Sequence, residues 1–168
     1  MMKSDAATAM LLDASVLVAI FSDEPRSEIV RQRYQAIPLR YTTPFCYFEA
    51  MNILKSKWKF QGKLDQISYR NACTSLTAWF GGATRAGWIQ DKDFLKPAHF
   101  QRVRALVDRT SLDFADAFQI DSLKTGYFSV LATESRAILA TTDAELAKIA
   151  RTEGVRVWNI ELEDAPEP

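Results

Sequence analysis

Short apolar runs alternate with longer segments of helical spacing along nearly the whole chain. Ala9, Met10, Leu11 and Leu12 are consecutive apolar residues ending at Asp13, the pattern of a strand buried on both faces of a parallel sheet. Ser15 then opens a helix with Val16, Val18, Ala19 and Ile20 on its apolar face. A second helix is expected over residues 25–36, with Pro25 in its first turn, where a missing N–H costs nothing. Residues 39–42 read as a second strand. Thr43-Pro44 is an N-cap followed by proline and opens a long helix to about Phe60, ended by Gly62. Residues 65–80 predict another helix, stopped by Gly81-Gly82. The segment 83–94 reads as a loop with a short strand at Trp88-Ile89. Helices follow over 97–109 and 114–124, then a strand over 137–141, a helix over 142–153 ended by Gly154, and a strand over 155–158.

Strands that alternate with helices in this way predict an α/β fold with a parallel sheet. The length of 168 residues suits one domain, expected over residues 1–160, with an acidic, frayed tail at 161–168. An apolar content of 48% fills a core of that size and excludes a disordered chain. The longest clean apolar run near the start, Val16 to Phe21, is six residues. A secretory segment needs about 7–15 and a membrane span about 20, so no membrane association and a cytoplasmic location are expected.

The charged residues balance, 21 basic against 21 acidic, which excludes a surface built for indiscriminate nucleic-acid binding. One histidine and two cysteines leave little for a zinc site, a disulfide framework or Ser-His-Asp chemistry. His99 is expected to be an ordinary surface histidine. Any chemistry therefore falls to carboxylates.

Four acids stand out. Asp13 ends the first strand and Asp143 follows the strand over 137–141, where open parallel sheets bind ligands. Glu49 lies in the apolar stretch CYFEAMNIL, and Asp116 is in the first turn of a helix that continues as Ala117, Phe118 and Ile120. Each has a plainer explanation. Asp143 sits at the first helical position behind Thr142, with Glu145 completing a capping box. Asp113 is a good N-cap, Asp116 complements the helix dipole, Asp13 suits a cap, and Glu49 suits an internal ion pair. All of those explanations would have to hold together in one small fold. Four carboxylates in one pocket repel one another unless a cation neutralises them, and without His or Cys the donors favour Mg²⁺ or Mn²⁺. Such ions activate water and stabilise the leaving oxygen in phosphodiester hydrolysis. Composition and spacing reach metal-dependent phosphoryl chemistry and stop short of the substrate.

Four segments, LLDASVLVAIF, TPFCYFEAMNIL, SLDFADAFQI and ILATTDAELAKIA, stand in an order that resembles the PIN-domain ribonuclease family, most of all its VapC-type toxins. The resemblance implies a three-layer α/β/α fold with a short central parallel sheet. It implies that Asp13, Glu49, Asp116 and Asp143 form the metal site, with Ser15 and Thr141 orienting carboxylates or water and Asp113 as a further acid near it. It also implies an RNA substrate, a homodimer and inhibition of the toxin by a cognate antitoxin. The chain is longer than many such toxins, with the surplus around residues 81–97. Trp79, Phe80, Arg85 and Trp88 suit either contacts to unpaired bases or internal packing. Lys55, Lys57, Lys59 and Lys63, and Arg102, Arg104 and Arg109, suit either local RNA contacts or solvated helix faces.

Three other readings compete. A haloacid-dehalogenase-type phosphatase needs an acid where Ser15 stands. A receiver domain needs a paired acidic start and a late lysine at a strand end. A protein- or RNA-binding module with an idle acidic site remains the main alternative to a nuclease.

Overall fold

The structure, a computed structural model, describes residues 9–85, 96–126, 128–129 and 137–166. Four strands form one sheet: β1 (Ala9–Leu12), β2 (Leu39–Tyr41), β3 (Ile138–Thr141) and β4 (Val157–Asn159). Their order is β2-β1-β3-β4 and every pairing is parallel, with Leu11 beside Tyr41, Leu12 beside Ala140 and Thr141 beside Asn159. The chain passes from β1 outward to β2 on one side and returns to place β3 on the other. The β1–β3 boundary is therefore the point at which connections leave in opposite directions, and in folds of this class ligands bind in the crevice outside the strand ends at such a point.

Alternation along the two central strands divides the interior. Met10 and Leu12 of β1, with Ile138 and Ala140 of β3, face one core; Ala9, Leu11 and Leu139 face the other. The first core is closed by α1 (Ala14–Phe21), α2 (Ser27–Gln35), α3 (Pro44–Lys59) and α4 (Gln66–Arg85), through Val16, Leu17, Val30, Leu54 and Leu76. The second is closed by α5 (Pro97–Arg109), α6 (Phe114–Lys124) and α7 (Ala144–Thr152), through Val103, Leu106, Ile120 and Leu146. A parallel sheet covered on both faces is the three-layer α/β/α architecture that the motif order implies. Among the described residues, no helix is long and apolar enough to cross a membrane.

Four local expectations change. Helix α2 starts at Ser27, because Arg26 is left-handed at φ 70° and Ser27 Oγ closes the turn by donating to Ser22 O at 3.0 Å and accepting from Glu24 N at 2.9 Å. Pro25 lies in that turn and outside the helix. Helix α4 runs through Gly81-Gly82 to Arg85, since neither glycine has a positive φ and each costs only about 1 kcal/mol in a helix. Packing of Trp79 on Phe21 (5.9 Å between ring centres) and of Phe80 on Tyr47 (4.4 Å) holds that end. Trp79 thus serves packing; Trp88 and the strand expected at Trp88-Ile89 lie outside the described residues. Helix α7 is capped by Asp143, whose Oδ1 accepts from the Glu145 and Leu146 N–H groups, and the Thr142 N–H ahead of it is engaged by Ser15 Oγ at 3.0 Å. Strand β4 is shifted to Val157–Asn159.

His99 is buried, contrary to the expectation of a surface histidine, because it shares the inner face of α5 with Val103 and Leu106. Its Nδ1 lies 2.8 Å from Asp121 Oδ2, while Arg102 Nε donates to Asp121 Oδ1 at 2.7 Å. Burial pushes the Asp121 carboxyl upward, but hydrogen bonds from Arg102, His99 and Thr125 outweigh it and hold its pKa below the ordinary value. The cluster fastens α5 to α6, the helix that carries Asp116. At the other end of the chain, Glu163 accepts from Arg151 at 2.6 Å and from the Asn159 N–H at 3.0 Å.

The Gly81-Gly82 pair yields a test. A Cβ at either position meets nothing within 4 Å. Gly81→Ala and Gly82→Ala should each stabilise the protein by about 0.5–1 kcal/mol, a rise of roughly 1–4 °C in Tm by thermal melting. A fall in Tm would show that the helix does not continue through the pair.

Candidate metal centre

The crevice beyond β1 and β3 is lined with acids because three helices begin or pass there. Asp13 is the residue after β1; its N–H continues the ladder to Ala140 O at 3.0 Å, and it caps α1. Glu49 is carried in by α3, whose start is fixed by Thr43 Oγ1 accepting from the Cys46 N–H at 3.2 Å and by Pro44 behind it. Asp116 is in the first turn of α6, where its N–H donates to the capping Asp113 Oδ1 at 2.9 Å. Ligand atoms of Asp13, Glu49 and Asp116 lie within 4.8 Å of one another.

The other expected residues divide by role. Ser15 Oγ donates to Asp13 Oδ2 at 2.5 Å and Thr141 Oγ1 donates to the same oxygen at 2.9 Å. Thr141 Oγ1 also accepts from the Asp143 N–H at 2.9 Å, so one hydroxyl links two acids. Asp143 Oδ1 accepts from the N–H groups of Glu145 (2.7 Å) and Leu146 (2.9 Å), and its side chain is exposed at the rim, outside the close group of three. Asp113 is likewise an exposed helix cap. The plain explanation of Asp113 as an N-cap therefore holds, while Asp143 is itself the cap and not the first helical residue behind Thr142. Both still act on the centre through their charge.

Gln119 was not legible as part of this site. It is fully buried, and its Nε2 donates to Asp13 Oδ1 at 2.9 Å and to Asp116 Oδ1 at 3.4 Å. The available signal was a polar residue three positions after Asp116 within the apolar run AFQI.

The three carboxylates are unequally satisfied. Both Asp13 oxygens are bonded, Oδ2 by Ser15 and Thr141 and Oδ1 by Gln119. Glu49 Oε2 is buried with no hydrogen-bond partner among the described residues. Burial pushes the Glu49 carboxyl up to about 7, with the charges of Asp13, Asp113 and Asp143 adding to it. Burial pushes Asp116 up to about 8, again with Asp13, Asp113, Glu49 and Asp143 contributing. No positive charge figures among these influences. A buried oxygen without a donor, in a set of hard oxygen ligands that resist ionising together, fits a divalent cation.

The comparisons with known proteins agree with this geometry. The PIN domain model matches residues 10–78. That stretch contains Asp13, Ser15 and Glu49. The fold is similar to that in the crystal structure of PAE2754 from Pyrobaculum aerophilum, at a TM-score of 0.53 and 22% identity over 90% of this chain and 84% of that one. No curated protein matches the sequence. The PIN domain is in general a nuclease fold that uses divalent metal ions.

Two predictions follow from the uneven satisfaction of the acids. The folded-state pKa values of Glu49 and Asp116 lie above the ordinary carboxylate range, so the folded protein holds protons that the unfolded chain has released. Their stabilising effect is complete below about pH 4 and is lost as pH rises through about 7 to 8. Melting in EDTA should show Tm falling across about pH 5 to 8, and Mg²⁺ or Mn²⁺ should restore most of the loss at the upper end. Equal Tm at both ends of that range would contradict the electrostatics. Separately, Gln119→Leu removes the donor to Asp13 and, with it, a buried Oε1 that has no partner. Without metal, stability should fall by about 1–3 kcal/mol because the buried Asp13 Oδ1 loses its donor, and Mn²⁺ affinity measured by calorimetry should fall roughly 10- to 100-fold.

Proposed function

We propose that this protein is a metal-dependent endoribonuclease, with Asp13, Glu49 and Asp116 holding Mg²⁺ or Mn²⁺ and Asp143 supplying a fourth acid at the rim. The observation that carries this reading is the close trio of carboxylates with Glu49 Oε2 buried and without a donor. A binding module with an idle site has no need to keep that oxygen desolvated. When bound, the ion would supply an activated water and neutralise charge on the phosphodiester as its bond breaks.

The chain's own residues set the terms of that chemistry. Ser15, Thr141 and Gln119 fix the Asp13 carboxylate in one orientation, so its position does not depend on the ion. Burial and mutual repulsion favour the protonated forms of Glu49 and Asp116 when no cation is near, and a bound cation favours loss of those protons, which links binding to pH. The acids repel a bare phosphate, so RNA can approach only where a cation has reversed the local charge.

By the same reading the protein is the toxin of a toxin–antitoxin pair. It acts in the cytoplasm as a homodimer and is held in check by an antitoxin protein. The resemblance of the four motif segments to VapC-type toxins supports this narrower assignment. Residues 1–160 make up the single domain, and 161–168 are its acidic tail.

Purified protein should cleave a mixed RNA pool with Mg²⁺ or Mn²⁺ and fail to do so in EDTA. Glu49→Gln should lower the cleavage rate by at least about 100-fold while leaving the circular dichroism spectrum unchanged and the metal-free Tm equal or higher. Cleavage that persists in EDTA, or in the Gln variant, would refute the assignment.

A further inference from the structure

The segment that follows β4 is acidic, starts beside the strand end that serves the metal centre, and is pinned by arginines. Asn159 pairs with Thr141 at the end of β3, and the Ile160 N–H donates to Thr141 O at 3.1 Å; the hydroxyl of that same threonine holds Asp13. With strands about 4.8 Å apart and β3 between β1 and β4, the segment starts roughly 10 Å along the sheet from the end of β1. Beyond that start, Glu161 faces Arg26 at 3.3 Å and Asp164 faces Arg33 at 3.6 Å, while Arg33 Nη1 donates to Ile160 O at 2.8 Å. Arg26 caps the start of α2 and Arg33 lies in its last turn, seven positions on and so on the same face. The turn closed by Ser22 and Ser27 holds Arg26 in the left-handed region at φ 70°, which a residue with a Cβ resists, so this arginine is placed by the backbone and not by its ion pair.

These two pairs differ from a third in the same segment. Glu163 accepts from Arg151 at 2.6 and 2.8 Å and from the Asn159 N–H at 3.0 Å, and its carbonyl accepts from the Trp158 indole at 3.1 Å. Glu163 is thus built into the turn and fixes it. Glu161 and Asp164 meet their arginines at longer range, and the Asp164 side chain is fully exposed. Exposed ion pairs of that kind contribute little and exchange easily.

We propose that Arg26 and Arg33 bind the phosphate backbone of an RNA strand where it leaves the crevice, and that Glu161 and Asp164 occupy this surface in the free protein and yield it to RNA. This rests on the ribonuclease reading. Guanidinium groups engage carboxylate and phosphate with the same donors, so the chain's own carboxylates stand where phosphates would. A nucleic-acid strand adds counter-ion release to those contacts, which two exposed side chains lack. Exchange is therefore favourable for a strand that also reaches the metal centre. An isolated phosphate gains too little to displace the segment, so the segment acts as a screen against small anions.

The test is fluorescence anisotropy of labelled single-stranded RNA of mixed sequence, with Ca²⁺ in place of Mg²⁺ to limit cleavage. The double variant Glu161→Gln, Asp164→Asn should tighten Kd roughly three- to tenfold. Arg26→Gln should weaken it by a similar factor and lower the slope of log K against log salt by about 0.7. Placed on Arg26→Gln, Glu161→Gln should bring no gain, because the group it frees is gone. Asp108→Asn removes one negative charge from an exposed pair with Arg104 on α5 and should change Kd less than twofold. A gain from Glu161→Gln that persists without Arg26, or that Asp108→Asn reproduces, would reduce the effect to net charge and overturn the proposal. So would a lower Tm in the double variant with Kd unchanged, since the segment would then serve stability alone, or an intact protein that binds no RNA. The expected changes in Kd without cleavage in Mg²⁺ or Mn²⁺ would keep the surface and remove the nuclease. Cleavage with Kd unmoved by every variant would do the reverse.

Discussion

A buried carboxylate at the end of a central strand has to be held by donors, and the way Asp13 is held organises this molecule. Its N–H extends the β1–β3 ladder, its side chain caps α1, and its oxygens collect hydrogen bonds from Ser15, Thr141 and Gln119. Those donors come from α1, from the end of β3 and from α6. One charged group thereby ties the sheet to helices on both of its faces. Loss of the Gln119 donor leaves Oδ1 unsatisfied in the interior, which costs more than the hydrogen bond contributes. The crevice at the strand-order reversal is therefore both the most constrained place in the fold and the place where ligands bind in folds of this class.

The constraint also explains why the remaining acids differ from the first. Asp13 is satisfied by the protein, while Glu49 Oε2 has no donor among the described residues, Asp116 accepts a long 3.4 Å bond from Gln119, and burial pushes both carboxyls well above the usual range. The arrangement is destabilising at neutral pH in the absence of a cation, because each group must either bind a proton or remain charged beside its neighbours. Natural proteins tolerate such an imbalance where function requires it. Among these acids the imbalance lies in the two carboxylates of Glu49 and Asp116; the anchoring acid and the two capping acids, Asp113 and Asp143, are hydrogen-bonded in ordinary ways.

The sequence was legible wherever local chemistry determines structure. Ala9–Leu12, the Thr43-Pro44 start and the Asp113 cap all form as their residue types require, since strand burial and capping depend on near neighbours. It was least legible where distant packing overrides local preference. Glycine at 81 and 82 favours a stop, yet Trp79 on Phe21 and Phe80 on Tyr47 carry α4 onward. Thr142 has the residue type of an N-cap, yet the Asp143 carboxylate takes the cap, and a hydroxyl 127 positions away in sequence holds the Thr142 N–H. His99 follows the same rule, because only the α5–α6 contact reveals Asp121 as its partner.

Gln119 carries that rule into the site. A carboxylate read from sequence announces itself by charge, but the neutral group that orients it has no such signature, and its partner lies 106 positions away. Asp116 and Gln119 are three apart on α6, so a single helix delivers an acid to the crevice and, one turn on, the amide that steadies Asp13. Any shift of α6 would move both together. The His99–Asp121–Arg102 cluster is fastened to that same helix at Asp121, two residues beyond Gln119; His99 and Asp121 are buried, and the partly exposed Arg102 closes over them. A polar cluster of that kind gives little net stability but strongly disfavours alternative packings. Its place in this fold is to hold α6 against α5, and through α6 to hold the acid and the amide at fixed positions in the crevice.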